Sequence, residues 1–168
     1  MESSVAERKA SPNRTVLENI PEELRQRPQW VVWKLEKRAG EDKPTKMPYI
    51  AGGVGRAKST DLMTWRPFEE AVRALETGRY SGVGFVFCSA DPFVGVDLDD
   101  CRNPETGEIA EWAQKIIDSF KDVVLLEASP SGRGVHLITK GVCKDGVNTK
   151  SVEVYGQDRF FTVTGAVI

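Results

Sequence analysis

Two aspartates at the end of an apolar run are the residues of this chain best suited to metal chemistry. Residues 93–100 (FVGVDLDD) pass from apolar side chains directly into acids, with Asp97 and Asp99 two positions apart. On a β-strand these two share one face, Leu98 points into the core, and the carboxylates lie roughly 6–7 Å apart. That separation suits a pair of divalent cations. The alternative is a plain turn whose aspartates bond their own backbone, a role that we assign to Asp100.

A third carboxylate from another element would complete a two-metal site, and Glu153 is the best candidate. This residue interrupts the apolar run Val152-Glu153-Val154. The alternative is a strand with one solvent-exposed face, on which Ser151, Glu153 and Tyr155 alternate with apolar residues.

A loop rich in glycine, serine and basic residues is the second feature that indicates chemistry. Residues 129–136 (SPSGRGVH) contain Ser131, Gly132, Arg133 and His136. Glycine allows the backbone to approach a ligand closely, while serine, arginine and histidine supply donors and positive charge. This combination suits a triphosphate. The alternative is a hairpin turn followed by an ordinary strand histidine. A serine hydrolase is disfavoured, because no Gly-x-Ser-x-Gly motif is present.

Composition restricts the class of protein. The chain has 168 residues, 40% hydrophobic and 29% charged, which indicates one soluble globular domain at 14–168. Residues 1–13 are polar and predict a flexible tail rather than a signal peptide.

The net charge of −2 excludes binding of nucleic acid by bulk charge alone. The single histidine excludes two-histidine metal motifs, and three unpaired cysteines favour a reducing compartment. The apolar ending at 165–168 suggests a fragment of a longer protein.

The elements that must position these residues follow from hydrophobic patterning. The patterns predict helices near 20–27, 64–77 and 109–120, and strands at 30–35, 46–50, 82–87, 93–99, 123–127, 134–138, 151–155 and 160–164. We expect 82–87 to pair with 93–99, and 151–155 to pair with 160–164, as antiparallel neighbours. Pro48 suggests that 46–50 is an edge strand. The stripe predicted to bury the last helix is Ile109, Trp112, Ala113, Ile116, Ile117 and Phe120. The glycine-rich segment 51–60 carries basic residues but does not match a Walker motif, so it is interpreted first as a flexible loop, with a phosphate cradle as the alternative.

Three motifs in order resemble those of the archaeo-eukaryotic primase superfamily. They are Val-Asp97-Leu-Asp99, Ser-Gly-Arg-Gly-Val-His136 and Val-Glu153-Val. The chain is most similar to the primase-polymerase domains of phage and plasmid replication proteins. Segments 30–34, 46–49, 64–71 and 159–165 also look like that group, so the resemblance covers about residues 20 to 165. It implies an α+β fold, in which an antiparallel palm sheet like that of RNA-recognition motifs packs with an N-terminal α/β unit.

The resemblance also implies roles for individual residues. Asp97, Asp99 and Glu153 would be catalytic and would hold two divalent ions, Mg²⁺ or Mn²⁺. Ser131, Gly132, Arg133 and His136 would bind the incoming nucleotide. Arg159 and Lys46 are predicted to contact phosphate or template, although Lys46 is equally explained as a solvated edge-strand lysine.

These roles predict a template-dependent DNA primase and polymerase that transfers nucleotides to a 3′-hydroxyl. Its expected partners are single-stranded DNA template, primer and nucleoside triphosphates, with no membrane. We expect a monomer in the cytoplasm of a prokaryotic cell, with helicase or helical regions elsewhere in the longer protein. One alternative is a catalytically silent module that binds single-stranded or origin DNA. Another is a metal-dependent nuclease, for which a nucleotide-binding loop has no use.

Overall fold

The computed structural model describes residues 14–168, and the predicted tail at 1–13 lies outside the described residues. In chain order the elements are α1 (Arg14–Leu17), α2 (Glu22–Arg25), β1 (Trp30–Glu36), β2 (Thr45–Tyr49), a 3₁₀ turn (Leu62–Thr64), α3 (Phe68–Glu76), β3 (Gly82–Phe87), β4 (Phe93–Leu98), α4 (Glu111–Ser119), β5 (Val123–Ala128), β6 (Val135–Lys140), β7 (Val147–Asn148), β8 (Val152–Tyr155) and β9 (Arg159–Val163). None of the helices within 14–168 has the length and apolar character that a bilayer crossing requires.

The strands form two antiparallel sheets, which confirms the α+β class. The first sheet has the order β2-β1-β3-β9 and the second has the order β5-β6-β4-β8-β7. β2 is an edge strand, as Pro48 predicted, because proline has no N–H to give to a further neighbour. The N-terminal strands therefore do not form a unit by themselves, since β9 from the end of the chain completes their sheet.

The predicted pairing of 82–87 with 93–99 is wrong, and so is that of 151–155 with 160–164. β3 pairs with β1 and β9, whereas β4 pairs with β6 and β8. β3 is buried along its whole length, so its apolar run does not specify which strands lie beside it. The turn after β3 carries the chain to the other sheet, and the Asp91 carboxylate holds it by accepting the backbone N–H groups of Cys88 and Phe93.

The two sheets share a core at Gly95 on β4. A methyl group at this position would lie 2.6 Å from Cε2 of Phe161 and 2.7 Å from Cε2 of Phe87. No side chain fits in that space, so glycine is required where the first sheet contacts the second. Gly95 shares its face of β4 with Asp97, two residues further along.

Helix α4 covers the opposite face of the second sheet. Its buried residues Ala113 and Ile117 pack with Val96 and Leu98, and the predicted core position of Leu98 is confirmed. Trp112 does not belong to this buried stripe, since it is 40% exposed. A helix on an outer face buries only the narrow strip that contacts the sheet, and Trp112 lies outside that strip.

Candidate active site

A row of polar residues crosses the second sheet at one level of its register. Asp97 on β4 lies opposite His136 on β6 and opposite Glu153 on β8. The row continues outward on both sides, because His136 lies opposite Glu127 on β5 and Glu153 lies opposite Asn148 on β7. Directly opposed residues share a face of a sheet. Residues that are distant in sequence are therefore brought together on the face of β4 that carries Gly95.

This face opens into a cleft of about 1040 Å³ between the two sheets. Asp97, Asp99, His136 and Glu153 line it from the second sheet and the turn after β4. The other lining residues include four that carry positive charge, from the β1–β2 loop, β2, the loop after β2 and β9: Arg38, Lys46, Lys58 and Arg159. The cleft thus combines an acidic floor with basic residues from the first sheet and its loops.

Asp97 is the acid at the centre of the row, between His136 and Glu153. Burial raises the pKa of its carboxyl, the His136 ring opposes that rise, and Asp99 and Glu153 add to it. Its Oδ1 atom is buried and has no hydrogen-bond partner, and His136 Nε2 lies 3.6 Å away from it. A buried carboxylate oxygen without a partner carries a desolvation cost that a bound cation would offset.

Asp99 and Glu153 approach the cleft from two different elements. β4 ends at Leu98, so Asp99 lies in the turn after the strand and not on it as predicted, and its backbone N–H donates to the Ser151 carbonyl. The Glu153 carboxylate accepts the Tyr155 hydroxyl at 2.7 Å. Within 14–168, no three His, Cys, Asp and Glu side chains are already arranged as a ready ligand set. The acids therefore line one cleft without converging on one point.

The Tyr155 side chain connects Glu153 to the basic side of the cleft. The Arg159 guanidinium lies over its ring, 4.9 Å from the centroid. Burial raises the pKa of the Tyr155 hydroxyl, and the bond to Glu153 raises it further, so the phenol remains a donor at neutral pH.

His136 and the loop before it occupy different positions. The His136 ring is only 4% exposed and packs against Phe161, with the ring centroids 5.4 Å apart. Ser131, Gly132 and Arg133 form the turn between β5 and β6 and are absent from the lining of the cleft. This turn is held by contacts with another segment of the chain.

Two side-chain contacts with the segment after β4 hold that turn, in addition to the backbone bond from the Arg102 N–H to the Arg133 carbonyl. Arg102 Nη1 donates to the Gly132 carbonyl at 2.9 Å, and Arg133 Nε lies 3.3 Å from an Asp100 oxygen. Asp100 has a φ of 49° and is exposed, in agreement with its prediction as a turn residue. The turn is therefore fixed to the same segment that carries Asp99.

Sequence reasoning missed Glu127, Arg38 and Lys58. A signal for Glu127 was present in the sequence. It is the one acid at the end of the apolar strand 123–127, and it lies two positions after Leu125, whose side chain is buried. Arg38 and Lys58 lie in loops, and no local pattern distinguishes a cleft lysine or arginine from a solvated one.

Comparison with known proteins supplies an independent finding. No family model matches the chain. The DNA primase-polymerase of Nitratiruptor phage NrS-1 is 35% identical over 146 residues, which cover 83% of this chain. The aligned part is 19% of that relative, so the chain spans about a fifth of its length. This similarity supports a primase-polymerase family and agrees with the resemblance of the three motifs.

Proposed function

We propose that this chain contains the catalytic domain of a DNA primase-polymerase of the archaeo-eukaryotic primase superfamily. Such a domain joins nucleoside triphosphates to a 3′-hydroxyl under the direction of a template. The observation that carries the proposal is the row Asp97, His136 and Glu153 across three neighbouring strands, in a cleft with basic residues opposite. The similarity to a phage DNA primase-polymerase supports the same reaction class.

Asp97, Asp99 and Glu153 are the residues that would hold two divalent ions, Mg²⁺ or Mn²⁺. Carboxylate oxygens are the ligands that these hard cations prefer. The unpaired, buried Oδ1 of Asp97 fits such a role, because it lacks the partner that a desolvated oxygen needs. Ions held there would supply the positive charge that lowers the pKa of an attacking hydroxyl and neutralises the pyrophosphate leaving group.

The basic side chains of the cleft would supply positive charge that comes from the protein and not from the metal ions. Arg159 and Lys46, with Lys58 and Arg38, would neutralise triphosphate and template phosphates, since each lines the cleft beside the acids. The His136 ring would face the same phosphates from the acidic floor of the cleft. The turn before β6, which lies beyond the cleft lining, would contact the nucleotide through Ser131, Gly132 and Arg133.

The DNA partners follow from the same charge arrangement. Single-stranded template and primer would follow the basic side of the cleft, which places a 3′-hydroxyl near the acids. A silent DNA-binding module is the weaker alternative, because acids on the cleft floor repel phosphate and add nothing to binding. Helicase or helical regions of a longer protein, and a monomeric state, also belong to this proposal.

Extension of a labelled primer on a DNA template with Mn²⁺ tests the reaction. Asp97→Asn and Asp99→Asn remove charge with little change of shape, and each is expected to abolish incorporation. Asp118→Asn is the matched control, because Asp118 is an exposed acid on α4, on the opposite face of the sheet, and this variant should extend the primer normally. Equal incorporation by Asp97→Asn and the wild-type chain would refute the assignment.

A further inference from the structure

One fully buried acid remains without a role in the site described above. Glu127 on β5 is 0% exposed, although charged side chains are rarely buried unless they are paired. It stands next to His136 in the polar row and has no contact with the cleft itself. Its burial therefore needs an explanation in terms of its partners.

The backbone of the segment after β9 supplies part of that explanation. Oε1 of Glu127 accepts the Thr164 N–H at 2.9 Å, and Oε2 accepts the N–H groups of Thr164 and Gly165 at 3.1 and 2.8 Å. Both carboxylate oxygens are thus used as acceptors by fixed donors. Such donors offset the cost of burying a charged group.

The remaining partner of Glu127 is the only histidine of the chain. Oε1 lies 3.4 Å from Nδ1 of His136, and the other ring nitrogen, Nε2, lies 3.6 Å from Oδ1 of Asp97. Because backbone donors already make both Glu127 oxygens acceptors, Nδ1 has to be the donor in the contact between them. With Nδ1 turned toward Glu127, the ring orientation leaves Nε2 facing Asp97 and the cleft.

We propose that Glu127 is a positioning residue for His136. It holds the imidazole plane against Phe161 and keeps a proton on Nδ1, so that Nε2 is the nitrogen presented at the cleft. A partner of this kind fixes which ring nitrogen is protonated and how the ring is oriented. The consequence for nucleotide use rests on the proposed function, whereas the state of the ring does not.

The substitution Glu127→Gln should exchange the donor and the acceptor in the contact between residue 127 and Nδ1 of His136. An amide has a single acceptor oxygen, and the Oε2 position faces two backbone N–H groups, so the amide oxygen belongs there. The amide NH₂ then takes the Oε1 position, where it faces Nδ1 and also the Thr164 N–H, whose bond to Oε1 is lost. Nδ1 has to become an acceptor, and the ring proton moves to Nε2.

Nitrogen-15 NMR of the imidazole reads this change directly, because His136 gives the only histidine signals. At alkaline pH we expect Nδ1 to be protonated in the wild-type chain and Nε2 to be protonated in Glu127→Gln. The measurement needs no metal, nucleotide or DNA. A wild-type ring with an unprotonated Nδ1 would overturn the proposal, even if Glu127→Gln fails to fold.

Primer extension supplies the second test. Glu127→Gln should lower kcat/KM for the nucleotide about tenfold, and it should have no further effect in the His136→Ala background. Thr164→Val is the matched control. It removes the bond from the Thr164 hydroxyl to the Ala128 carbonyl and the bond from the Ala166 N–H to that hydroxyl, but it keeps the backbone donors to Glu127. It should stay within about twofold of wild type.

The outcomes separate this proposal from the proposed function. Additive losses in the double variant, or equal losses in Thr164→Val and Glu127→Gln, would mean that Glu127 only stabilises the segment after β9, and either result would overturn the proposal. If the wild-type chain incorporates no nucleotide, the proposed function fails, and the NMR measurement still decides the role of Glu127.

Discussion

Replacing Gly95 with alanine should damage the packing of the two sheets at the point nearest the site. The added methyl would lie 2.6 and 2.7 Å from Cε2 and Cζ of Phe161, and 2.7 Å from Cε2 of Phe87. These distances are far below van der Waals contact, and neither ring can rotate freely, since Phe87 and Phe161 pack edge to face with centroids 5.0 Å apart. The sheets must therefore separate locally or the rings must leave their rotamers.

The cost of such overpacking is about 1–3 kcal/mol of unfolding free energy. For a chain of this size, each kcal/mol lowers Tm by about 2–4 °C, so the middle of that range corresponds to about 4–8 °C. Because Phe161 also supports the His136 ring, we expect the surviving folded protein to lose nucleotide incorporation as well.

Thermal unfolding followed by circular dichroism, together with primer extension, measures both effects. Gly141→Ala is the control, because a methyl there would meet only Val94 Cγ2 at an ordinary 3.9 Å. Gly95→Ala combined with Phe161→Leu, which removes ring atoms from the clash, should recover part of the lost Tm. A Gly95→Ala protein as stable as wild type would refute the account of sheet packing.

Three further predictions concern charge in the cleft. Since burial raises the pKa of Asp97, the folded state holds its proton more tightly than the unfolded chain, so this group costs stability as pH rises above about 4, its ordinary pKa. Asp97→Asn in chelator should therefore raise Tm at pH 7, and the gain should vanish at pH 3; no gain at pH 7 would contradict the burial argument. Mn²⁺ should raise the Tm of the wild-type chain but not that of Asp97→Asn/Asp99→Asn, and equal shifts would argue against these ligands. Lys46→Ala and Lys58→Ala should each weaken single-stranded DNA binding and reduce its salt dependence by about 0.7 in logarithmic slope, as measured by fluorescence anisotropy, and unchanged slopes would remove these lysines from the phosphate path.

The local parts of this fold could be predicted, and the long-range parts could not. The alternation along β4 correctly placed Leu98 in the core, and Pro48 correctly marked an edge. The partners of β3 and β4 were wrong, because strands buried on both faces have no polar edge in their sequence to indicate which neighbour they take. Gly95 carried a usable signal, since glycine within a strand often marks a close approach of another element.

The site shows the same division. Motif order suggested that Asp97, His136 and Glu153 belong together, and the register places all three in one row. Glu127 was missed because its importance depends on two contacts that no spacing reveals: one across a hairpin to His136 and one with the backbone of Thr164 and Gly165. The same holds for Lys58, whose place in the cleft depends on how its loop lies against the second sheet.

The wrong pairing of β8 with β9 bears directly on how the cleft arises. Had these strands formed a hairpin, Arg159 would extend the acidic sheet and no basic residue of β9 could oppose Glu153 from another sheet. Instead the turn between them transfers the chain from the second sheet to the first, and Asp158, with a φ of 58°, donates its N–H to the Phe87 carbonyl at the end of β3. Arg159 thereby reaches the cleft from β9 while staying over the Tyr155 ring. One strand switch therefore brings Arg159 to the acids, and this part of the charge pattern of the site is a consequence of the topology.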